Sequence, residues 1–485
     1  MIFQSFQGLL PTAILILYYI GVALLIFSIL LDNRNPSKTL GYVLVLIFLP
    51  IAGVIIYFYF GRDYRKRKLF SRKGMVDIGL LQEWKNEKEV VFEESFSTQF
   101  VDEQHKIISK LLQNNYAYLS TNNYLKILRN GEEKFKDLIT CLESSAHHIH
   151  LEYYIIEDDP LVASIMDVLK KKAQEGVEVR IIYDDVGSSK LKHRFIKDLK
   201  SHGIEIYPFM KVRFPFLTSN ANYRNHRKIV IIDGNIAFTG GINLSVRYLN
   251  NDASKTYWRD THLRLDGECV QQLQIQFLLM WRFVSDIQLP IQISYFPVLP
   301  TYTKAAVQIA FSGPDSDWAS IMLAFFKAIS IAKKQVLITS PYFIPNDQIL
   351  IAIQSAALSG VEVKVLIPGN SDSKIVQSAT MSYCKELLSA GVKVYLYNKG
   401  FIHAKTIVVD NSIATVGTTN MDYRSFNINF EVNAFIYNKE IANELTEQFE
   451  DDLKGATELK LNRWEKRPFT KKVIESFSRL LAPLL

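Results

Sequence analysis

Cysteine is nearly absent. Only Cys141, Cys269 and Cys384 occur, far apart and in no metal-ligand spacing. That argues against a disulfide framework and a thiolate metal site, and the three read as small buried apolar residues of a reducing compartment. Charge is missing from the start of the chain: the first 31 residues hold no Asp, Glu, Lys or Arg. A cleaved signal peptide would open on a charged segment and close on a small-residue cleavage site, and neither is evident. Net charge is also missing from residues 74–485, because the formal +7 of the chain is made up of +1 over residues 1–61 and +6 over residues 62–73. A nucleic-acid enzyme would carry its basic excess around its active site, so that class is disfavoured.

What stands in place of charge at the start is apolar. Ala13 to Leu31 is an uncharged run long enough to cross a bilayer, and Thr39 to Phe60 is a second, with Pro50 and Gly53 of a kind tolerated inside membrane helices. A transmembrane hairpin is expected over residues 1–62, with helices at about 9–31 and 39–60. The loop Asp32 to Lys38 holds only Arg34 and Lys38, whereas Arg62 to Lys73 holds seven bases. The positive-inside rule therefore puts the body of the protein on the cytoplasmic side, and the basic cluster suits anionic lipid headgroups.

A polar basic segment and linker is expected over residues 63–115, followed by two halves, 116–295 and 296–485, that repeat one another. The first reads as strand His148–Ile156, helix Leu161–Gln174, strand Val177–Tyr183, a helix near Lys190–Ser201 and strand Ile204–Pro208. The second repeats it with Gln335–Thr339, Asp347–Leu358, Val361–Ile367, Ser378–Ser389 and Val392–Tyr397. Gly176-Val-Glu-Val and Gly360-Val-Glu-Val are near-identical joints, each with a glycine ending a helix before a buried strand. Alternating strands and helices imply an α/β/α fold with largely parallel sheets. The duplication implies a pseudo-two-fold axis that brings equivalent segments to one central site.

Those segments carry chemistry. His226-Arg-Lys228 is followed by Asp233, Gly240 and Asn243, and His403-Ala-Lys405 is followed at the same offsets by Asp410, Gly417 and Asn420. Residues i and i+2 of a strand share a face, so each His points with its Lys. One His can attack phosphorus while the other protonates the leaving group. Lys228, Asn243, Lys405 and Asn420 would bind the non-bridging phosphate oxygens, where charge grows as phosphorus becomes five-coordinate. Asp233 and Asp410 complete the catalytic motifs, in a structural or supporting role, since turns at strand ends favour Asp. No ligand set for a metal accompanies these residues, and no cofactor is implied. His147, His148 and His150 lie at a strand entry without a carboxylate at ligand spacing and read as structural or surface residues.

The paired motifs resemble the signatures of the phospholipase D superfamily, and the wider match resembles the bacterial cardiolipin synthases. Arg34-Asn-Pro36, Leu49-Pro-Ile-Ala-Gly53, Asn225-His-Arg-Lys228, Arg259-Asp-Thr-His262, Ser312-Gly-Pro-Asp315, Pro341-Tyr-Phe-Ile-Pro345, Gly400-Phe-Ile-His403 and Arg424-Ser-Phe426 carry it almost end to end. The resemblance implies two phospholipase D-like halves and a multi-pass enzyme of the bacterial inner membrane. It implies phosphatidyl transfer between two phosphatidylglycerol molecules through a phosphatidyl-histidine. It also implies that a carboxylate, Asp260 or Glu431, hydrogen-bonds each motif His. A hydrolase using water as acceptor would employ the same residues, and a membrane-tethered nuclease shares the motif. The expected partners are phosphatidylglycerol and anionic membrane lipid, not nucleic acid. Two segments stay open. Lys211 to Leu217 joins bases to apolar residues before the first motif, and Val473, Ile474, Phe477, Leu480 and Leu481 form an apolar helical face near the C-terminus that either docks on the enzyme or lies on the membrane.

Overall fold

The protein was analysed as a computed structural model, which describes residues 2–31, 36–57, 101–212, 222–251, 256–287, 289, 292–302 and 305–485. The basic cluster 62–73 and most of the segment 211–217 lie outside the described residues. The chain forms two compact units. In the smaller, the uncharged stretch is one helix, Ile2–Leu31, starting earlier than the expected residue 9. The second apolar run is divided: Pro36–Phe48 and Pro50–Ile56 are separate helices on either side of Leu49. Pro50 opens the latter, where its missing N–H costs nothing. Val22 and Ile29 of the first helix are buried with Leu46 and Tyr57, while Leu17, Leu24, Phe27 and Ile51 are exposed. Among the described residues no helix is long and apolar enough to cross a membrane, and the side chains of the first helix are described only from Leu15.

The larger unit holds both halves. In chain order the first contributes β1 (Asn123–Arg129), β2 (His148–Tyr153), β3 (Glu178–Asp184), β4 (Glu205–Phe209), β5 (Lys228–Ile232), β6 (Ile236–Gly240), β7 (Trp258–Arg259) and β8 (Thr261–Gly267). The second contributes β9 (Ala306–Ser312), β10 (Gln335–Thr339), β11 (Phe343–Ile344), β12 (Glu362–Pro368), β13 (Lys393–Tyr397), β14 (Phe401–Ile402), β15 (Thr406–Val409), β16 (Ile413–Gly417), β17 (Met421–Asp422), β18 (Glu431–Tyr437) and β19 (Ala456–Glu458). The first sheet runs β1-β8-β6-β5-β2-β3-β4 and the second runs β9-β18-β16-β15-β10-β12-β13, with β19 added at its edge. The two orders superpose strand for strand, so the duplication read from the Gly-Val-Glu-Val joints extends to topology.

The expectation of largely parallel sheets is corrected. Only β2, β3 and β4, and β10, β12 and β13, run parallel to their neighbours; the other main pairings are antiparallel. The cause is local. Each motif strand returns through a tight turn, Asp233-Gly-Asn or Asp410-Asn-Ser, and a tight turn can join only antiparallel strands.

Burial explains the packing. Phe135, Leu138, Val162, Ile165 and Leu169 of the helices Asn130–Glu143 and Pro160–Gln174 cover Leu151, Ile181 and Val230 of the first sheet. Asp159 caps the second of these helices by accepting from the Val162 N–H. The stretch read as linker ends in structure that belongs to the second half. Ile108 and Leu112 of the helix Lys106–Gln113 are buried with Ile321, Phe325 and Ile353, and Gln308 Nε2 donates to the carbonyls of Ser109 and Ala117.

Asp233 and Asp410, counted within the catalytic motifs, are placed elsewhere. They sit at the far ends of β5 and β15, seven residues on from His226 and His403, roughly 20 Å along an extended chain. Asp233 accepts from the N–H groups of Ala146, His147 and His148 at 2.8, 2.8 and 2.9 Å. Asp410 accepts from Lys333, Lys334 and Gln335 at 2.9, 2.7 and 2.9 Å. Each carboxylate ties the loop entering β2 or β10 to the neighbouring strand. Asp233→Ala or Asp410→Ala should cost on the order of 2 kcal/mol of stability and lower the thermal midpoint, while turnover per folded molecule at low temperature stays near that of the parent. Calorimetry and assay of one preparation would check this; lost turnover at an unchanged midpoint would return both residues to the chemistry.

Candidate active site

Each motif His leads directly into a buried strand, and its backbone is tied to the other half of the molecule. His226 N donates to Phe430 O at 2.9 Å, and His403 N donates to Arg259 O at 2.7 Å. The next residue on each receiving segment is an acid, Glu431 or Asp260. The side chains therefore meet across the halves: His226 Nδ1 lies 3.0 Å from both Glu431 carboxylate oxygens, and His403 Nδ1 lies 2.7 Å from Asp260 Oδ2. Ionised Glu431 and Asp260 accept from the Nδ1–H tautomers, which leaves both Nε2 lone pairs for chemistry. Sequence reasoning anticipated a carboxylate for each His. It did not anticipate that the first half's His takes its carboxylate from the second half, and the reverse.

The motif glycines make room for this exchange. A Cβ on Gly240 would lie 2.6 Å from His262 Cα, and one on Gly417 would lie 2.3 Å from Val432 O. At both places the strand bearing the acid presses on the backbone that follows the motif. Gly241 is as constrained, since a Cβ there would meet Asp260 Oδ1 at 2.0 Å.

His226 and His403 open with Asn243 and Asn420 into one cavity of about 510 Å³. Asn243 is fixed, its Oδ1 accepting from Ile155 N at 3.1 Å and its Nδ2 donating to the Tyr248 hydroxyl at 2.6 Å. Asn420 Oδ1 is buried without a hydrogen-bond partner among the described residues. Lys228 and Lys405 lie beneath the histidines, fully enclosed; each Nζ donates to the carbonyl of its own motif His, at 2.7 and 2.5 Å.

Burial dominates the electrostatics. Desolvation lowers His226 and His403 to about 4, against the pull of Glu431 and Asp260, so both imidazoles are neutral unless an anion is bound beside them. Burial, helped by the mutual repulsion that Lys405 exerts on Lys228, lowers Lys228 to about 7, and burial lowers Lys405 to about 8. Burial works against the Glu431 carboxylate, yet His226, Lys228 and the Thr418 hydroxyl together hold it below the usual carboxylate range. An anion entering the cavity would restore both ammonium charges.

Residues to which the sequence reading gave no role also line the cavity, among them Tyr154, Tyr342, Arg247, Arg424, Trp258 and Asp422. Arg247 pairs with Glu157. Tyr342 donates to Asp372 Oδ2 at 2.8 Å. Burial raises Asp422 to about 6, where it caps the helix Tyr423–Asn427 by accepting from Ser425 N. A signal for one pair was present: Arg247 and Arg424 each follow the motif Asn by four residues. The His147–His150 cluster lies apart from the cavity. His148 and His150 bracket the Gln274 amide at 3.0 Å, and His150 stacks on Phe277.

The comparisons with known proteins agree with this geometry. Residues 138–281 and 325–453, one stretch from each half, match the family described as cardiolipin synthase, phospholipase D-like domain. Residues 15–62 match the phospholipase D-nuclease N-terminal family. The chain is 42% identical over 484 residues to the cardiolipin synthase of Halalkalibacterium halodurans, covering 99% of this chain and 95% of the relative. It is 41% identical over 482 residues to that of Listeria monocytogenes, covering 99% and 100%. The crystal structure of the phosphatidylserine synthase of Haemophilus influenzae superposes with a TM-score of 0.60 at 14% identity, over 79% of this chain and all of that one, a likeness of fold. With two histidines facing one cavity and family matches spanning both halves, the chain belongs to the phospholipase D-like cardiolipin synthase family of phosphatidyltransferases.

Proposed function

We propose that the chain is a membrane-bound cardiolipin synthase that moves a phosphatidyl group from one phosphatidylglycerol to another. The observation that carries the reading is the pair of neutral histidines at one cavity, each held at Nδ1 by a carboxylate of the opposite half. The phosphodiester anion enters between them, with its non-bridging oxygens towards Lys228, Lys405, Asn243 and Asn420. Its charge favours one imidazolium, so binding takes up a proton. His403 takes it, since Asp260 and the rings of Trp258 and Phe401, 5.6 and 5.8 Å away, favour a cation there.

His226 Nε2 then attacks phosphorus, and the P–O bond to glycerol breaks as His403 protonates the departing oxygen. His403, now neutral, accepts the proton of the headgroup hydroxyl of a second phosphatidylglycerol. That oxygen attacks phosphorus, the P–N bond breaks, and cardiolipin leaves. The covalent intermediate keeps the phosphodiester energy, so no nucleotide is consumed. The lysine and asparagine donors supply the electrostatic stabilisation that a metal supplies elsewhere.

The membrane hairpin belongs to the same proposal. It is supported by the charge-free helix Ile2–Leu31, by the outward Leu17, Leu24 and Phe27, and by seven bases at 62–73, which the positive-inside rule puts in the cytoplasm with the catalytic body.

Purified protein incubated with phosphatidylglycerol alone should yield cardiolipin and glycerol by lipid mass spectrometry. Phosphatidic acid as the main product would replace transfer by hydrolysis. The two histidines separate under acid quench. With a nitrophenyl phosphodiester lipid, whose leaving group needs no proton, His403→Ala should still form the phosphatidyl adduct on the peptide holding His226, whereas His226→Ala should form none. An adduct on the His403 peptide would reverse the roles. The pH dependence follows from burial: the free imidazoles are neutral above about 4 and the reaction needs one proton taken up on binding, so kcat/KM should be highest near 4, fall as pH rises, and fall more steeply above about 7 to 8 as Lys228 and Lys405 lose charge. The alkaline limb of kcat should lie higher, because the bound anion stabilises both ammonium groups; coincident limbs would mean that the lysines do not face the phosphate.

A further inference from the structure

The helix Phe469–Leu480 is turned inside out. At 3.6 residues per turn, positions 473, 474, 477, 480 and 481 share one side, and 475, 478 and 482 lie nearly opposite. An amphipathic helix on a globular body ordinarily packs the apolar side inwards. Here Glu475, Ser478 and Ala482 are buried, while Phe469, Ile474, Phe477 and Leu480 are 79, 57, 67 and 74% exposed. The orientation is locked by polar contacts on the inner side. Arg467 pairs with Glu475 at 2.5 Å, Arg479 pairs with Glu386 at 2.5 Å, and the Arg479 guanidinium lies 4.3 Å over the Tyr383 ring. Lys471 and Lys472 are exposed at the start of the same helix. The segment runs directly to the site: Leu484 and Leu485 line the cavity that holds His226 and His403. On the neighbouring helix Lys374–Ser389, Ile375 is exposed and Val376 lines the cavity.

We propose that this helix is a second, peripheral membrane contact, lying on an anionic leaflet with its Phe469, Ile474, Phe477 and Leu480 face among the lipids and its lysines at the headgroups. Such a contact sets the cavity against the surface from which a two-chain lipid must present its phosphate, and in that sense it rests on the phospholipid reading above. Two features select a bilayer over a protein partner. The apolar strip carries bases beside it, which complements anionic headgroups, and it continues into the cavity that the lipid must enter.

The test uses the full chain. All three native cysteines are buried, so Phe477→Cys can be labelled selectively with an environment-sensitive nitrobenzoxadiazole dye. Lys171→Cys, exposed in the last turn of the helix Pro160–Gln174 and outside the cavity lining, serves as the comparison. In vesicles of equimolar phosphatidylglycerol and phosphatidylcholine, the dye at 477 should shift to the blue and be quenched severalfold more than the dye at 171 by lipids carrying a shallow doxyl group. Ile474→Cys, a second outward position, should repeat the result should the first variant fold poorly. Equal, weak quenching at 474, 477 and 171 would overturn the proposal. So would a spectral shift that appears in lipid-free detergent and grows with protein concentration, since the strip would then be covered by a second copy. Cardiolipin formation followed in the same vesicles reports on the transfer reaction separately, so loss of one reading leaves the other standing.

Discussion

Two hydrogen bonds exchanged between the halves, His226 to Glu431 and His403 to Asp260, are the contacts on which the site depends. They do more than orient rings. Because each acid follows the residue whose carbonyl binds the His backbone, a shift of one half against the other would break the backbone bond and the carboxylate contact together. Neither half holds a complete His–carboxylate pair. The single cavity shared by both histidines depends on that exchange.

Enclosure then sets the chemistry. Two lysines, two histidines and two acids are gathered with little access to water, and burying charge in this way is costly unless the partners are close and hydrogen-bonded. That cost is reduced because burial keeps both imidazoles neutral and brings the ammonium groups near their neutral forms. A phosphodiester anion is the missing charge. Its arrival favours protonation of lysine and histidine at the place where negative charge grows in the transition state, so recognition and catalysis draw on the same electrostatic deficit.

The symmetry is exact enough to build the site and broken enough to differentiate it. Around His403 stand Trp258, Phe401 and Tyr248. By their offsets from the motif residues, the counterparts in the other half are Asn429, Arg224 and Ser425. One histidine is boxed by aromatic rings and the other faces polar groups, with Tyr154 the single ring against it among the described residues, at 4.9 Å. A ring-lined imidazole beside a carboxylate suits the group that carries the proton. That difference supports giving the acid–base role to His403 and the attacking role to His226, a choice the repeat alone leaves undecided.

Much was legible in the chain because it depends on short-range pattern. The paired His, Lys, Gly and Asn offsets, the strand and helix repeat and the charge-free start are features of residues near one another in sequence, whereas the candidacy of Asp260 and Glu431 came from the family resemblance. Other features depend on which distant segments meet. No spacing rule reveals that Glu431 serves His226 from 205 residues away. Asp233 and Asp410 sit inside the motif in sequence, yet a strand carries them to the opposite end of the sheet, where they hold backbone N–H groups. The parallel expectation failed because helix–strand alternation governs only β2 to β4 and β10 to β13, while tight turns govern the rest. The outward apolar face of Phe469–Leu480 had an amphipathic signature in the sequence, but its direction was decided by Glu475 and Arg479 finding ion-pair partners, Arg467 and Glu386, in the fold. Sequence determined which groups were available, through local periodicity and spacing; tertiary structure decided which of them face one another, because chain crossing and burial bring distant residues into contact.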